Sequence, residues 1–382
     1  MSAATSPSPS TSDLLRGPTD YSALGFPTSV AQVEKALKKL WEDDHASTKA
    51  TLINLVILST RAGSLLENNT LAVGLTHDHA CRVLLIEASG NETGVPVEPQ
   101  AWITAHCHLS SGRKSICSEQ IAFILDGQRP GLIRNTLLAN LLSDLPVILW
   151  WQGCLDSTFE AGLFQNIDRF IVDSTSWPLA SLAAQHERLL AAQRQMVQPF
   201  SIHDIAWAKT YQFRIAVAAL FDHPQAFEVL PQINSGEVVV GCGHLAAAHF
   251  LIAWAANAAG WQLTGHQSDV NHTWQFLSPA GHTVAITCSE DPSSAPIGKI
   301  TLRCPKGLVE VTRKPGDNHL NAHIELCAPQ APIVLPADPD DSGSLVASLL
   351  SRGGKYSLYA SVLPVFLAMA NYIAQPDKQE LP

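Results

Sequence analysis

The sequence predicts an α/β protein in which an N-terminal mixed α/β sheet domain (residues 28–198) is followed by an α+β C-terminal domain (residues 199–374). Three observations predict it. At 382 residues the chain exceeds the size at which a single core stops growing. Segments with helical and strand periodicity alternate through the first half. After Pro199 the order changes to a long helix, a strand and a helix, and then a run of short strands.

Residues 1–27 form a Ser/Thr/Pro-rich tail, and Met1 to Thr19 nearly lacks large apolar residues, so disorder is expected there. The tail has no apolar core of a secretion signal, and Arg16 alone supplies positive charge, too little for a transit peptide. Val30, Val33, Ala36, Leu37 and Leu40 then recur at helical spacing, and Thr51 to Thr60 reads as a buried β-branched strand. A helix over Arg61 to Leu75 leads to a strand at Arg82 to Ile86, a Gly/Pro loop, and strands Ala101 to Leu109 and Ser115 to Leu125. Pro130 opens a helix with its apolar stripe at Ile133, Leu137, Leu138, Leu141 and Leu142. The strand Leu145 to Trp151 follows, then a short helix at Asp156 to Gln165, strand Arg169 to Val172 and a helix from Trp177 to Gln195.

Pro199 marks the hinge, and Ile205 to Phe221 is the helix that begins the second domain. Its remainder reads as strand Glu237 to Val240, helix Leu245 to Ala259, strands beginning at Thr273, His282, Lys299, Leu308 and Ala322, and helices near Leu345 to Leu350 and Leu358 to Ile373. The apolar stretch 245–259 is too short to cross a bilayer and the stretch 358–374 contains Ser361, Pro364 and Asn371, so buried helices of a cytoplasmic protein are expected.

Composition narrows the function. Charged residues make up 15% of the chain, 24 basic against 34 acidic, for a net charge of −10 and no Lys/Arg cluster, which argues against nucleic acid as a partner. The eight cysteines include no CxxC pair, so neither a secreted disulfide framework nor a zinc site of that type is expected. The chain has no G-x-S-x-G elbow, Walker loop, H-E-x-x-H or EF-hand loop.

Five constellations remain. Trp150 and Trp151 are adjacent on one strand, so their side chains point to opposite faces, and one of them is a candidate for surface or partner contact, the other reading being cover for the sheet. Gly241-Cys242-Gly243-His244-Leu245-Ala246 matches G-x-G-x-x-A between a strand and a helix, where a pyrophosphate could sit with Asp269 as the ribose acid; the downstream elements look antiparallel, which favours a tight strand-to-helix turn instead. His106 and His108 share one strand face at the spacing of a chelate, or are hydrogen-bonded histidines, and Glu119 would lie on the opposite face. A symmetric loop centred on Gly112 sets Cys107 directly opposite Cys117, about 4.5 to 5.5 Å apart at Cα and within disulfide reach; a loop asymmetric by one residue destroys that register, and two buried free thiols are the favoured alternative. Asp168, Arg169 and Asp173 flank a strand, as a carboxylate pair or as acids capping the next turn.

Ala101-Trp102-Ile103, His106-Cys107-His108, Cys117 to Ile121, Asp144 to Trp151, Asp168 to Ser174, Asp204 to Ala208, Arg214, Phe221-Asp222, Trp254 and Gly260-Trp261 together resemble the OpcA family of glucose-6-phosphate dehydrogenase assembly proteins. Ala80, where the family usually has proline, and Tyr211-Gln212 depart from it. The resemblance implies a non-catalytic partner, without cofactor or metal, that promotes the active oligomeric form of glucose-6-phosphate dehydrogenase, linked in cyanobacteria to redox state through thioredoxin. On that expectation Trp150, Trp151, Arg169 and Asp173 are partner-contact candidates and Cys107 and Cys117 redox candidates; the rival is an NAD(P)-binding oxidoreductase using the Gly241–Ala246 turn.

Overall fold

Long, uninterrupted runs of Val, Ile and Leu such as 55–58 and 83–86 suit strands buried on both faces, and they form the centre of a parallel sheet. The structure is a computed structural model describing residues 20–43, 48–90, 96–110, 114–222, 224–268, 271–326, 328–329, 332–352 and 357–374. The segment 1–19, the loop at Gly112, Asp269 and Cys327 lie outside the described residues.

The first sheet contains β1 (Phe26–Thr28), β2 (Thr48–Lys49), β3 (Ile53–Ser59), β4 (Cys81–Glu87), β5 (Gln100–Ser110), β6 (Lys114–Ile124), β7 (Val147–Gln152), β8 (Arg169–Val172) and β9 (Ser201–Asp204). Its order is β1-β5-β6-β4-β3-β7-β8-β9, and every neighbour from β6 to β9 is parallel. Setting aside the inserted antiparallel strand β5 and the short β1 and β2, the parallel strands count 3-2-1-4-5-6, the doubly wound order whose two halves meet between β3 and β7. Helices α1 (Val33–Asp43), α2 (Leu65–Asp78), α3 (Pro130–Ala139) and α4 (Leu182–Arg194) connect and cover these strands.

The second sheet contains β10 (Ser235–Val240), β11 (Gln262–Ser268), β12 (His272–Leu277), β13 (Thr283–Glu290), β14 (Ile297–Cys304), β15 (Gly307–Thr312), β16 (His319–Leu326), β17 (Ala328–Pro329) and β18 (Ile333–Pro336). It is antiparallel except for β10 against β13. The predicted helix 205–221 is two, α5 (Ile205–Ala208) and α6 (Tyr211–Phe221), followed by α7 (Pro224–Val229). Helix α8 (Leu245–Ala259) is buried nearly all round, because α10 (Ser357–Ala374) packs against it and stacks Phe366 on Phe250 at 3.8 Å between ring centroids. Gly260 closes α8 in the left-handed conformation that a side chain would strain. By length and composition α10 is apolar enough to cross a membrane, but Tyr359, Val362, Leu363, Phe366, Met369 and Ala370 are buried in the fold.

Two boundaries differ from the sequence expectation. β9 lies beyond Pro199 yet completes the first sheet, because its backbone continues the parallel ladder from β8. Helix α9 (Ser342–Ser351), near the C-terminus, returns to that sheet and buries Leu345, Val346 and Leu349 among Leu55, Ile57, Leu85 and Trp150. The predicted helix at Asp156 to Gln165 is only a 3-10 turn at Ala161–Phe164.

Candidate functional site

Strands β5 and β6 form a hairpin whose register is the symmetric one: Cys107 faces Cys117, and Ala105 faces Glu119. The two cysteines are joined by a disulfide across a Cα separation of 4.0 Å. Cys107 is exposed whereas Cys117 is fully buried, so solvent reaches the bond from one side. β2 pairs with β6 at Cys117, and the Ala50 amide donates to the Cys117 carbonyl at 3.2 Å. On the same face the buried Glu119 carboxylate accepts from Trp41 Nε1 at 2.6 Å and pairs with Lys49 at 2.7 Å and Arg82 at 3.6 Å; Arg82 also pairs with Glu34. Buried carboxylates persist only when charges and donors surround them in this way. Burial pushes the free thiols of Cys81 and Cys288 up to about 12, which keeps both protonated and unreactive at neutral pH.

His106 and His108 have separate partners. Nε2 of His106 is 2.9 Å from Gln120 Oε1, and Nε2 of His108 is 3.4 Å from Thr76 Oγ1. Burial holds the His106 imidazole below its usual range, against the raising effect of the Gln120 bond. Among the described residues no group of three or more His, Cys, Asp or Glu could hold a metal ion.

The expectation that Trp150 or Trp151 meets a partner is corrected. Trp150 is 2% exposed and Trp151 fully buried, so neither indole offers surface in this fold. Alternation does send them to opposite faces, but helices cover both faces of the parallel sheet. Trp151 packs among Phe159 and Phe170 and donates from Nε1 to the Cys154 carbonyl at 3.2 Å; Trp150 enters the opposite core with α9.

Arg169 and Asp173 bracket β8, and each reaches one end of α9. Arg169 Nη1 donates to the carbonyls of Leu349 (3.2 Å) and Arg352 (3.1 Å), while Asp173 Oδ2 accepts from Ser342 Oγ at 3.4 Å. A cation at the carbonyl end and a carboxylate at the amide end complement the helix dipole. These two partner-contact candidates are thus engaged within the chain. Asp168 instead accepts from the Val147 amide at 2.8 Å and borders a cleft of about 600 Å³ at the amino ends of β7 and β8. Ligands of doubly wound sheets sit at the opposite, carboxyl ends. A second cleft of about 240 Å³ is apolar, lies between α6, α7 and α8, and is lined by Phe221, Phe227, Trp254 and Trp261; Phe227 is 65% exposed.

The Gly241–Ala246 turn does join a strand to a helix. Gly243 takes φ +79°, and its amide donates to Glu290 Oε1 at 2.6 Å; the Gly241 amide donates to the Ala295 carbonyl at 2.9 Å. β10 lies parallel to β13, but β11 and β12 intervene in the chain, so this is not a βαβ unit. The dinucleotide topology lies instead in the first sheet, where the turn from β3 to α2 carries Glu87 against its amides. In the sequence the trace of Glu87 is an acid ending the strand after α2, roughly where a ribose-binding residue would fall.

Two family descriptions match the chain: glucose-6-phosphate dehydrogenase subunit N-terminal domain over residues 72–202 and C-terminal domain over residues 200–363. The chain belongs to this OpcA family. The two matches meet at β9. A putative OxPP cycle protein OpcA from Synechococcus elongatus is 23% identical over 175 residues, which is 44% of this chain and 38% of that relative's length. In three dimensions the chain is similar to KijD10, a 3-ketoreductase from Actinomadura kijaniata, in complex with NADP and TDP-benzene: 13% identity and TM-score 0.51 over 84% of this chain and 97% of that chain. An open conformation of the same enzyme gives 13% identity and 0.50 over 84% and 96%. These likenesses establish a shared fold.

Proposed function

We propose that the chain is a non-catalytic cytoplasmic subunit that binds glucose-6-phosphate dehydrogenase and promotes its active oligomeric assembly. The observation that carries this reading is the match to glucose-6-phosphate dehydrogenase subunit domains across both sheets. Promotion requires only tighter binding to the active assembly, since about 1.4 kcal/mol of differential affinity shifts the population tenfold.

The Cys107–Cys117 pair is the redox element in this reading. A thioredoxin-type dithiol would attack at the exposed Cys107 sulfur, reduce the bond to two thiols and itself become a disulfide, so that two electrons and two protons pass to the hairpin. The test is mass photometry and activity of glucose-6-phosphate dehydrogenase with the purified chain, oxidised and then reduced by thioredoxin. A larger, more active enzyme species is the expected result, with its midpoint moved by reduction. An enzyme whose mass and activity ignore the chain in both states refutes the assembly role; a response identical in both states refutes the redox link alone.

A further inference from the structure

In a sheet of this strand order, phosphate-bearing dinucleotides sit outside the carboxyl ends of the strands, on the amides that open the helix after the first parallel strand. Here those amides belong to the turn from β3 into α2, and they are already taken. The Gly63 amide donates to Glu87 Oε1 at 2.8 Å, the Leu65 amide to Oε2 at 2.9 Å, and Ser64 Oγ to Oε2 at 3.3 Å. Ser64, at the cap position of α2, does not cap the helix with its own side chain. Glu87 is 3% exposed and stands opposite Ser59 in the β3–β4 register, so its side chain leaves the sheet beside the turn.

The rest of the crevice is closed to match. A G-x-G-x-x-G spacing set from Ser59 would need glycine at Ser59, Arg61 and Ser64, and none is present. Ser59 Oγ accepts from the Arg61 amide at 3.2 Å, which folds the turn on itself. Across the meeting point of the two halves, Asn68 and Gln152 exchange hydrogen bonds of 2.9 and 2.8 Å and tie α2 to the end of β7. The second sheet repeats the device: Glu290 faces the last residue of β10 in parallel register and accepts from Gly243 in the turn that opens α8.

We propose that the Glu87 carboxylate is the resident anion of a dinucleotide-phosphate cradle, an internal contact that shuts the crevice against phosphate-bearing nucleotides. A nucleotide phosphate on the Gly63 and Leu65 amides would have to displace a buried carboxylate of like charge. This inference stands independently of the assembly role.

The test uses the full chain, with NADP+ and inorganic phosphate as separate probes and thermal melting as the readout. Wild type should show no ligand-dependent shift at millimolar concentrations. Glu87→Ser, which vacates the cradle, should gain a rise of about 2 °C or more with NADP+ or phosphate, which means a probe concentration at least roughly one to four times its dissociation constant. Glu87→Gln keeps the shape, removes the charge and should gain part of that shift. Should Glu87→Ser fail to fold, Glu87→Gln and amide NMR of wild type decide: Gly63 and Leu65 signals should not move with either probe. A saturating shift of those signals in wild type, or a folded Glu87 variant that still binds neither probe, overturns the proposal. A gain with phosphate alone confines the cradle to the anion and removes the dinucleotide from it.

Discussion

Replacing Trp151 by alanine should damage folding before it damages any interaction. The indole is fully buried, packs edge-on to Phe159 (5.6 Å between centroids) and stacks towards Phe170 at 6.4 Å, and its Nε1 is the donor to the Cys154 carbonyl. Truncating a buried Trp costs about 3 to 5 kcal/mol, and the orphaned carbonyl places this site in the upper half of that range. At about 2 to 4 °C per kcal/mol for a domain of 150 to 250 residues, the melting temperature should fall by roughly 8 to 20 °C. Trp151→Phe keeps an aromatic ring and should lose less than half of that. Circular dichroism melts, paired with glucose-6-phosphate dehydrogenase activation measured well below the new midpoint, separate the two roles: activation should persist there. A Trp151→Ala chain that melts within about 2 °C of wild type and yet fails to activate would refute the burial argument and return the indole to an interface.

Reducing the Cys107–Cys117 bond removes a closed loop of about ten residues, worth up to about 3 kcal/mol on the chain-entropy scale, and hydrogen exchange in β5 and β6 should rise; unchanged protection would show that the hairpin does not need the bond. After reduction, iodoacetamide should label Cys107 well before Cys117, as peptide mass spectrometry can check. Arg169→Ala should cost about 1 to 2 kcal/mol and raise exchange in α9, and a silent variant would mean that the two carbonyl bonds contribute little. Acid should destabilise the fold through its neutral histidines. Burial lowers His249 to about 3 and His203 and His266 to about 4, so below about 6.5 the unfolded chain takes up protons that the folded chain refuses. Stability is full above 6.5 and falls by up to about 1.4 kcal/mol per pH unit for each histidine as pH drops towards 4. Asp338, raised to about 6 by burial, works in the opposite direction over the same interval and offsets one histidine. Urea midpoints flat between pH 7 and 5 would contradict this.

Much of the architecture was legible because it rests on local pattern. The helix Leu245–Ala259 was predicted to the residue, since an apolar run between a Gly-rich turn and Gly260 leaves little choice of bounds. The Cys107–Cys117 register followed from a symmetric hairpin, in which each residue has one opposite number. β9 and β11 escaped because Pro199 and the polar Gln262–Ser268 mimic loops, and both become strands only through the neighbour that pairs with them. Trp150 and Trp151 show the limit at a site: alternation gives opposite faces, whereas exposure depends on whether a distant helix lies over each face.

The sequence by itself determined the α/β class, the scarcity of charge and the family, because each is written in spacing or composition. Only the tertiary structure decided that α9 closes over Trp150, that Arg169 and Asp173 serve α9, and that the dinucleotide strand order belongs to the first sheet. The same holds for Glu87, 22 residues along the chain from the Leu65 amide it accepts from. Contacts of that kind depend on which strands lie side by side, and strand order is fixed by burying both faces of the sheet at once, a condition no local segment carries.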